Sequence, residues 1–384
     1  MTCIVCKNET ESINVGNSPI SGYTCSSFSE SQSQPSFDMN LLVCSNCSMV
    51  TYQWFDEASE VLDRLYSGHF ATYYFTQKMS EYMTSFVKNL TTKYSLNKDS
   101  NILELGCNSG RMLNMFKEKI DCKTLGVEPS KTFNSSWKDN NLEVINGYFG
   151  DEIAENIKNR NFDLIYFRHV FEHIPDPVSF FKNVASVSGD QTIVVIEVPY
   201  LKSVIDNKRI ENISYSHLNY FTIKSIDKIA SKFNFGITDF QLVETDGGSI
   251  VIHLMKNKVT NPKFIDDVKF SDLKELVSYI CKAKEKLLKN INKYKKDQVI
   301  CYGAGAKGQH LFHLFGLEDQ VSYVIDDTPE LDGNYIPGTS VSVKSPNNVD
   351  STVVKAVINL IPTHAEAIKE KLADKFDFID PINS

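Results

Sequence analysis

The sequence predicts an α/β protein: a small metal-nucleated module, a doubly wound parallel sheet, and a second, smaller α/β domain. Three observations predict it. Two Cys-x-x-Cys pairs stand in the first fifty residues. From about residue 100, short apolar runs alternate with helix-spaced segments, which implies parallel sheets covered by helices. Two glycine-rich loops, Gly106–Gly110 and Gly303–Gly308, each follow an apolar run. The expected division is 1–60, a zinc-binding module; 61–257, the first α/β domain; 258–297, a helical connector; and 298–384, the second α/β domain.

The module rests on Cys3/Cys6 and Cys44/Cys47. Two residues between thiolates let both sulfurs of a turn face one ion, and two such turns complete a closed tetrahedral zinc site. Four thiolates leave no open position, so this zinc is expected to be structural. Disulfides or unrelated thiols are the alternative. The first sixty residues are rich in Ser, Gln and Asn and read as poor in core material, so the segment is expected to need metal to fold alone. Residues 15–38 are expected to form a loop.

The central elements follow in order. Met79, Tyr82, Met83, Phe86, Val87 and Leu90 recur at helical spacing, predicting a helix over 79–93. Asn101–Leu105 is a strand that enters a glycine loop and a helix through Phe116. Lys123–Val127, Leu164–Phe167 and Thr192–Val198 are further strands. Phe240–Glu244 and Ser249–Met255 flank Asp246-Gly247-Gly248, a hairpin signal. Residues 262–296 are helix-rich. Gln298–Leu314 is strand, loop and helix, with later strands at Val321–Ile325 and Ala356–Leu360.

Composition sets limits. The 384 residues allow two or three domains, and 42% apolar residues is ordinary for a globular chain. A net charge of −8 with scattered basic residues argues against nucleic acid as partner. The Lys-rich run from Lys282 to Lys296 carries apolar residues at helical spacing and reads as a solvated helix face. No apolar run is long enough to span a bilayer and no signal peptide opens the chain, so a cytoplasmic protein without a membrane partner is expected. Cys25, Cys107, Cys122, Cys281 and Cys301 show no paired spacing and read as reduced thiols.

The first glycine loop, Glu104-Leu-Gly106-Cys-Asn108-Ser-Gly110, ends a strand where sheets of this kind bind ligands. Glu128 ends the next strand, placed to accept hydrogen bonds from both hydroxyls of a ribose. A dinucleotide site would want Gly-x-Gly-x-x-Gly, which this loop lacks. The nearby Glu104 suits a cation, and S-adenosylmethionine carries a sulfonium, an ammonium and no phosphate. These segments, with Asp163-Leu-Ile-Tyr-Phe-Arg168-His169-Val-Phe171-Glu172-His173-Ile-Pro175-Asp176-Pro177, resemble class I methyltransferases. The resemblance implies that His169 lies near the cofactor's methionine part and Gly147-Tyr148-Phe149 near its adenine. His173 reads as capping or orienting its loop rather than binding metal.

The second loop, Tyr302-Gly303-Ala-Gly305-Ala-Lys307-Gly308, matches Gly-x-Gly-x-x-Gly, with Asp326 and Asp327 ending the next strand. Alone it predicts a nicotinamide dinucleotide. The alternative is a cradle for the pyrophosphate of a nucleotide-linked substrate, with Lys307 as charge partner.

Over nearly the whole chain the order of parts resembles the sugar C-methyltransferases of deoxysugar nucleotide pathways. The carrying segments are the four cysteines, Glu197-Val-Pro199-Tyr200, Ser216-His217-Leu-Asn-Tyr220-Phe221, Gly247-Gly248-Ser249, the second loop, and Tyr335-Ile-Pro337-Gly338-Thr339. The resemblance implies a C-terminal Rossmann-like domain, a nucleotide-linked 4-keto sugar methylated beside the ketone, and a monomer. Tyr200, Gly248, Ser249, Tyr302 and Lys307 are the expected substrate contacts. The chain departs where the family has Glu-His and this sequence has Ser216-His217. It departs again at Thr363-His364, where the family has Trp-Asn, and at Leu331, where a Lys is expected.

C-methylation beside a ketone needs a base, donors for the enolate oxygen, and an in-line methyl. His217 is the candidate base; Tyr215 and Tyr220 are candidate donors. Tyr73 and Tyr74 stand where the family places an aromatic near the transferred methyl, and Tyr74 is the expected cofactor contact. Sugar O-methylation, an NAD(P)-dependent oxidoreductase using the second loop, and a non-catalytic remnant are the rivals.

Overall fold

A computed structural model describes residues 1–69 and 77–382. The first sheet opens with antiparallel strands β1 (Glu11–Pro19), β2 (Ser36–Val43) and β3 (Val50–Tyr52). On β2, Phe37, Met39, Leu41 and Val43 alternate inward, the period of a half-buried strand. So residues 15–38 are not one loop. They hold the end of β1, a short helix Phe28–Gln32 capped by Ser27, and the start of β2.

The central strands are β4 (Asn101–Leu105), β5 (Lys123–Glu128), β6 (Val144–Asn146), β7 (Phe162–Arg168), β8 (Ser188–Pro199), β9 (Asn219–Tyr220), β10 (Phe235–Val243) and β11 (Ser249–Lys256). Seven of them form one sheet in the order β10-β11-β8-β7-β4-β5-β6. Strands β4 to β8 run parallel; β11 is antiparallel to β8, and β10, antiparallel to β11, runs in their direction again. The chain order reverses at β4, so a crevice opens at its carboxyl end between β5 and β7. The predicted helix is Gln77–Lys93, with Met83, Phe86, Val87 and Leu90 buried. Strand β9 leaves this sheet and pairs with β3.

The last sheet is wholly parallel, with β12 (Val299–Tyr302), β13 (Tyr323–Ile325), β14 (Ser342–Lys344), β15 (Ala356–Asn359) and β16 (Asp377–Ile379) in the order β14-β13-β12-β15-β16. Before it, one helix, Phe270–Ile291, buries Leu273, Leu276, Ile280, Ala283, Leu287 and Ile291 and leaves its lysines opposite. No described helix is long and apolar enough to cross a membrane.

The N-terminal segment is richer in core material than its polar composition suggests. Val15, Ile20, Phe37, Met39, Leu41 and Tyr52 share one core with Leu276, Phe312 and Phe315. The cysteine turns pack instead into the core of the central sheet, with Val5 and Met49. Cys25 and Tyr335 exchange backbone hydrogen bonds of 3.0 and 2.8 Å, tying the first sheet to the last. Of the unpaired cysteines, only Cys281 is exposed.

Candidate active site between two glycine loops

A cavity of about 1060 Å³ lies where the three parts meet. The central sheet contributes Glu104, Gly106, Asn108, Glu128, Phe149, Arg168 and His169 to its wall. Trp54 and Tyr66 come from the segment after β3, and Lys307, Thr363 and His364 from the last domain.

Strand β4 delivers Glu104 into this space. It is buried, Oε2 has no hydrogen-bond partner among the described residues, and burial pushes its carboxyl up to about 8. An orphaned acid of this kind fits a ligand that brings a cation. Gly106 follows at φ 72°, and a Cβ there would lie 2.4 Å from Val170 Cγ2. No other residue type fits without displacing that side chain. Gly110, at φ 75°, caps the following helix beneath the loop. Glu128 holds the loop in place: Oε2 accepts from the Asn108 N–H at 2.8 Å and Oε1 from the Ser130 N–H at 2.9 Å. Phe149 meets Phe180 edge-on at the cavity wall.

Buried charge forms the floor. Arg168 pairs with Glu197 through Nε and Nη2. Glu197 also accepts from Thr245 Oγ1 at 2.8 Å. Burial alone would raise this carboxyl, but the Arg168 charge and the His169 contact hold it well below the usual range. His169 adopts a left-handed φ of 52°, and its Nε2 and Nδ1 each lie 3.3 Å from a carboxylate, Glu197 and Glu172 respectively. A bulky residue held at positive φ marks local strain, which concentrates at functional sites.

The second loop repeats this plan. Asp326 at the end of β13 accepts from the N–H groups of Ala304 at 2.7 Å and Thr328 at 2.9 Å. Gly308 lets its helix press against β12, since a Cβ would lie 2.2 Å from the Gly303 carbonyl oxygen. Gly305 has open space around it.

Several expected contacts lie elsewhere. Tyr215 and Tyr220 are core residues, not cavity donors. Tyr215 stacks on Phe37 at 5.2 Å and donates to the Gln53 carbonyl, while Tyr220 donates to the Ser214 carbonyl. The tyrosines at the wall, among the described residues, are Tyr66, Tyr82 and Tyr148, and Tyr66 donates to the Ser216 carbonyl at 3.0 Å. Tyr200 donates to Asp266 at 2.7 Å, and Tyr302 donates to Asp327 beside Lys371; neither lines the cavity. Gly248 packs on Ser203 and Ser249 is buried, so Gly247 is the residue of that turn at the wall. His217 stands off the wall, with its ring edge-on to His173 at 5.1 Å. His173 does line the cavity, and its Nδ1 lies 2.7 Å from the Ser216 carbonyl oxygen. Tyr73 and Tyr74 lie outside the described residues. Motif spacing missed Arg168 with Glu197, Tyr66 and Trp54. A charge inside an otherwise apolar strand was the available signal for the first pair.

The four cysteines converge, with all sulfurs within 4.8 Å of one another. Cys3 and Cys47 sulfurs are 3.6 Å apart, and those of Cys6 and Cys44 3.4 Å. A zinc tetrahedron with ~2.3 Å bonds has edges of about 3.8 Å, so the donor set fits zinc. The hydrogen bond from Cys47 holds Cys3 down to about 5, and Cys47 is pushed up in turn.

Sequence comparison bears on this geometry. Residues 75–239 match the family described as a methyltransferase domain, and residues 244–378 match the C-methyltransferase C-terminal domain. The chain is an S-adenosylmethionine-dependent methyltransferase. Its sheet order is that of the class I methyltransferase fold, and its paired domains place it among the C-methyltransferases. C-methyltransferase NovU of Streptomyces niveus is 23% identical over 407 aligned residues, covering 99% of this chain and 95% of its own. A tRNA U34 carboxymethyltransferase of Sulfurimonas denitrificans is 24% identical over 172 residues, covering 43% of this methyltransferase and 58% of its own length. A solved methyltransferase from Geobacter sulfurreducens in complex with S-adenosyl-L-homocysteine is 14% identical, covers 46% of this chain and 90% of its own, and has a TM-score of 0.36.

Proposed function

We propose that this methyltransferase acts on a nucleotide-linked 4-keto deoxysugar, at the carbon beside the ketone. One observation carries the reading. A single cavity has the Glu104–Glu128 pocket on one wall and Lys307 of the second glycine loop on another. A donor on the first wall and a phosphate-bearing acceptor on the second would meet inside it. The second loop's backbone N–H groups and Lys307 suit a pyrophosphate.

S-adenosylmethionine, when bound, supplies an electrophilic methyl. Glu104 would hold its ammonium and Glu128 its ribose hydroxyls. His217 is the proposed base: it takes the α proton and becomes imidazolium, leaving an enolate. The acceptor would approach His217 past His173, the ring that touches both it and the cavity. Tyr66 presents a phenol to the same space. The cysteine cluster is proposed to hold structural zinc, since four thiolates leave no site for substrate.

The test is proton exchange. With S-adenosylhomocysteine bound, wild type should exchange the sugar's α hydrogen with deuterated water, and His217→Ala should not, while turnover falls by about 10²–10⁴. No exchange in wild type, together with a methyl on oxygen, would move the function to sugar O-methylation.

A further inference from the structure

We infer that Glu172 is a positioning residue of this site, the buried carboxylate that receives the charge when His217 takes a proton. This rests on the reading of His217 as base. The residues flanking His217 in sequence, Ser216 and Leu218, carry no charge, and the Ser216 hydroxyl is engaged with Ser214 at 2.8 Å. The nearby carboxylate instead comes from 45 positions upstream. Glu172, His173 and His217 each bring a nitrogen or carboxylate oxygen within 4.8 Å of the others.

The placement is firm. Glu172 sits in the short helix Phe171–His173, and its neighbour Phe171 stacks on Phe221 with centroids 4.6 Å apart. Glu172 is 1% exposed, and neither oxygen has a formed hydrogen bond among the described residues. A buried carboxylate held this way is costly unless positive charge is close. The groups that face it are His169, with Nδ1 at 3.3 Å, and the His173 and His217 rings. Beyond His169 lies Glu197, already paired with Arg168. The three histidines outweigh burial and keep Glu172 below the ordinary carboxylate range, hence ionised.

His173 fixes the geometry between them. Its Nδ1 lies 2.7 Å from the Ser216 carbonyl oxygen and 2.9 Å from the Tyr66 hydroxyl, so two contacts on that nitrogen hold the ring in place. Glu172 thus lies 3.3 Å from the histidine beside the cofactor pocket and within 4.8 Å of both histidines on the acceptor side. A proton delivered to His217 arrives next to a negative charge that Arg168 does not neutralise.

The test is an NMR titration of the full-length protein with ¹³Cε1-labelled histidine and S-adenosylhomocysteine bound. The His217 signal is identified by its absence in His217→Ala. In Glu172→Gln, the proton affinity of His217 should fall by about tenfold or more, the effect of removing a nearby opposite charge. S-adenosylhomocysteine affinity should change by less than about threefold, an effect below ~0.7 kcal/mol that shows the pocket is intact. Glu172→Asp keeps the charge, and a midpoint nearer wild type is expected; it also serves if the glutamine variant fails to fold. An unmoved midpoint in Glu172→Gln, or a shift equally large in Glu172→Asp, would overturn the inference. So would a second metal per chain that Glu172→Gln abolishes, since Glu172 would then be a metal ligand. Failure of the base reading looks different: the midpoint moves, yet His217→Ala turns over normally.

Discussion

Glu104 and Glu128 make opposite uses of burial. Glu128 has both oxygens on backbone N–H groups, whereas Glu104 Oε2 has no hydrogen-bond partner among the described residues. Burial raises Glu104 from an ordinary 4.5 to about 8 in the free protein. A raised folded-state value means its contribution to stability is full below about 4.5 and is lost as pH rises through about 8. The free protein should therefore lose stability across that window, and Glu104→Gln should flatten the loss in thermal melts. S-adenosylmethionine brings an ammonium, so binding at pH 7 should release about one proton and tighten by up to about tenfold per pH unit as pH rises toward 8. Calorimetry in buffers of different ionisation enthalpy measures this; equal heats would contradict it. Glu128→Ala should weaken cofactor binding by about tenfold or more, from lost charge-assisted hydrogen bonds of ~1.5–3 kcal/mol.

These acids were legible because each follows an apolar strand and precedes a glycine or a turn, so position alone assigns them. Tyr215 and Tyr220 were not. An aromatic beside a candidate base reads the same whether its ring fills a core or its hydroxyl faces a ligand. Here Phe37 and Tyr52, distant in sequence, draw Tyr215 inward.

At the scale of elements, the two glycine loops share a device. A carboxylate at the end of the second strand accepts from one N–H of the loop and from an N–H two residues beyond itself. The loops differ in what their glycines do. Gly308→Ala forces helix and strand apart, because the obstacle is the backbone oxygen of Gly303. A loss of about 1–3 kcal/mol is expected by denaturant unfolding. Gly305→Ala meets nothing within 4 Å and should leave stability unchanged. If the second loop holds a pyrophosphate, that variant should still weaken nucleoside diphosphate binding by about tenfold, an effect of ~1.4 kcal/mol. Equal affinity in both proteins would remove the loop from substrate binding. Strand-loop-helix units announce themselves through apolar runs and glycines. Strand β9, with two residues, carries no period of its own, and only its pairing with β3 creates it.

For the whole molecule, the N-terminal segment is not a separate bead. Its sheet shares a core with the last domain, its cysteine turns share one with the central sheet, and β9 crosses into it. Cys44→Ser should therefore lower zinc content from about one per chain and reduce the stability of the entire protein in one cooperative transition. Normal zinc content and full stability would defeat the zinc assignment. The polar composition of the first sixty residues hid this, because the inward positions of β2 are only every second residue and part of their shared core, Leu276, Phe312 and Phe315, lies more than two hundred positions away.

The position of the new methyl tests the account most directly. A nucleotide-linked 4-keto deoxysugar and ¹³C-methyl-labelled S-adenosylmethionine are incubated with the protein, and the product is read by ¹³C NMR. The account predicts an aliphatic methyl coupled to the ring carbon beside the ketone, formed about 10²–10⁴ times more slowly by His217→Ala. A methyl at the shift of an ether, bonded to oxygen, would contradict it.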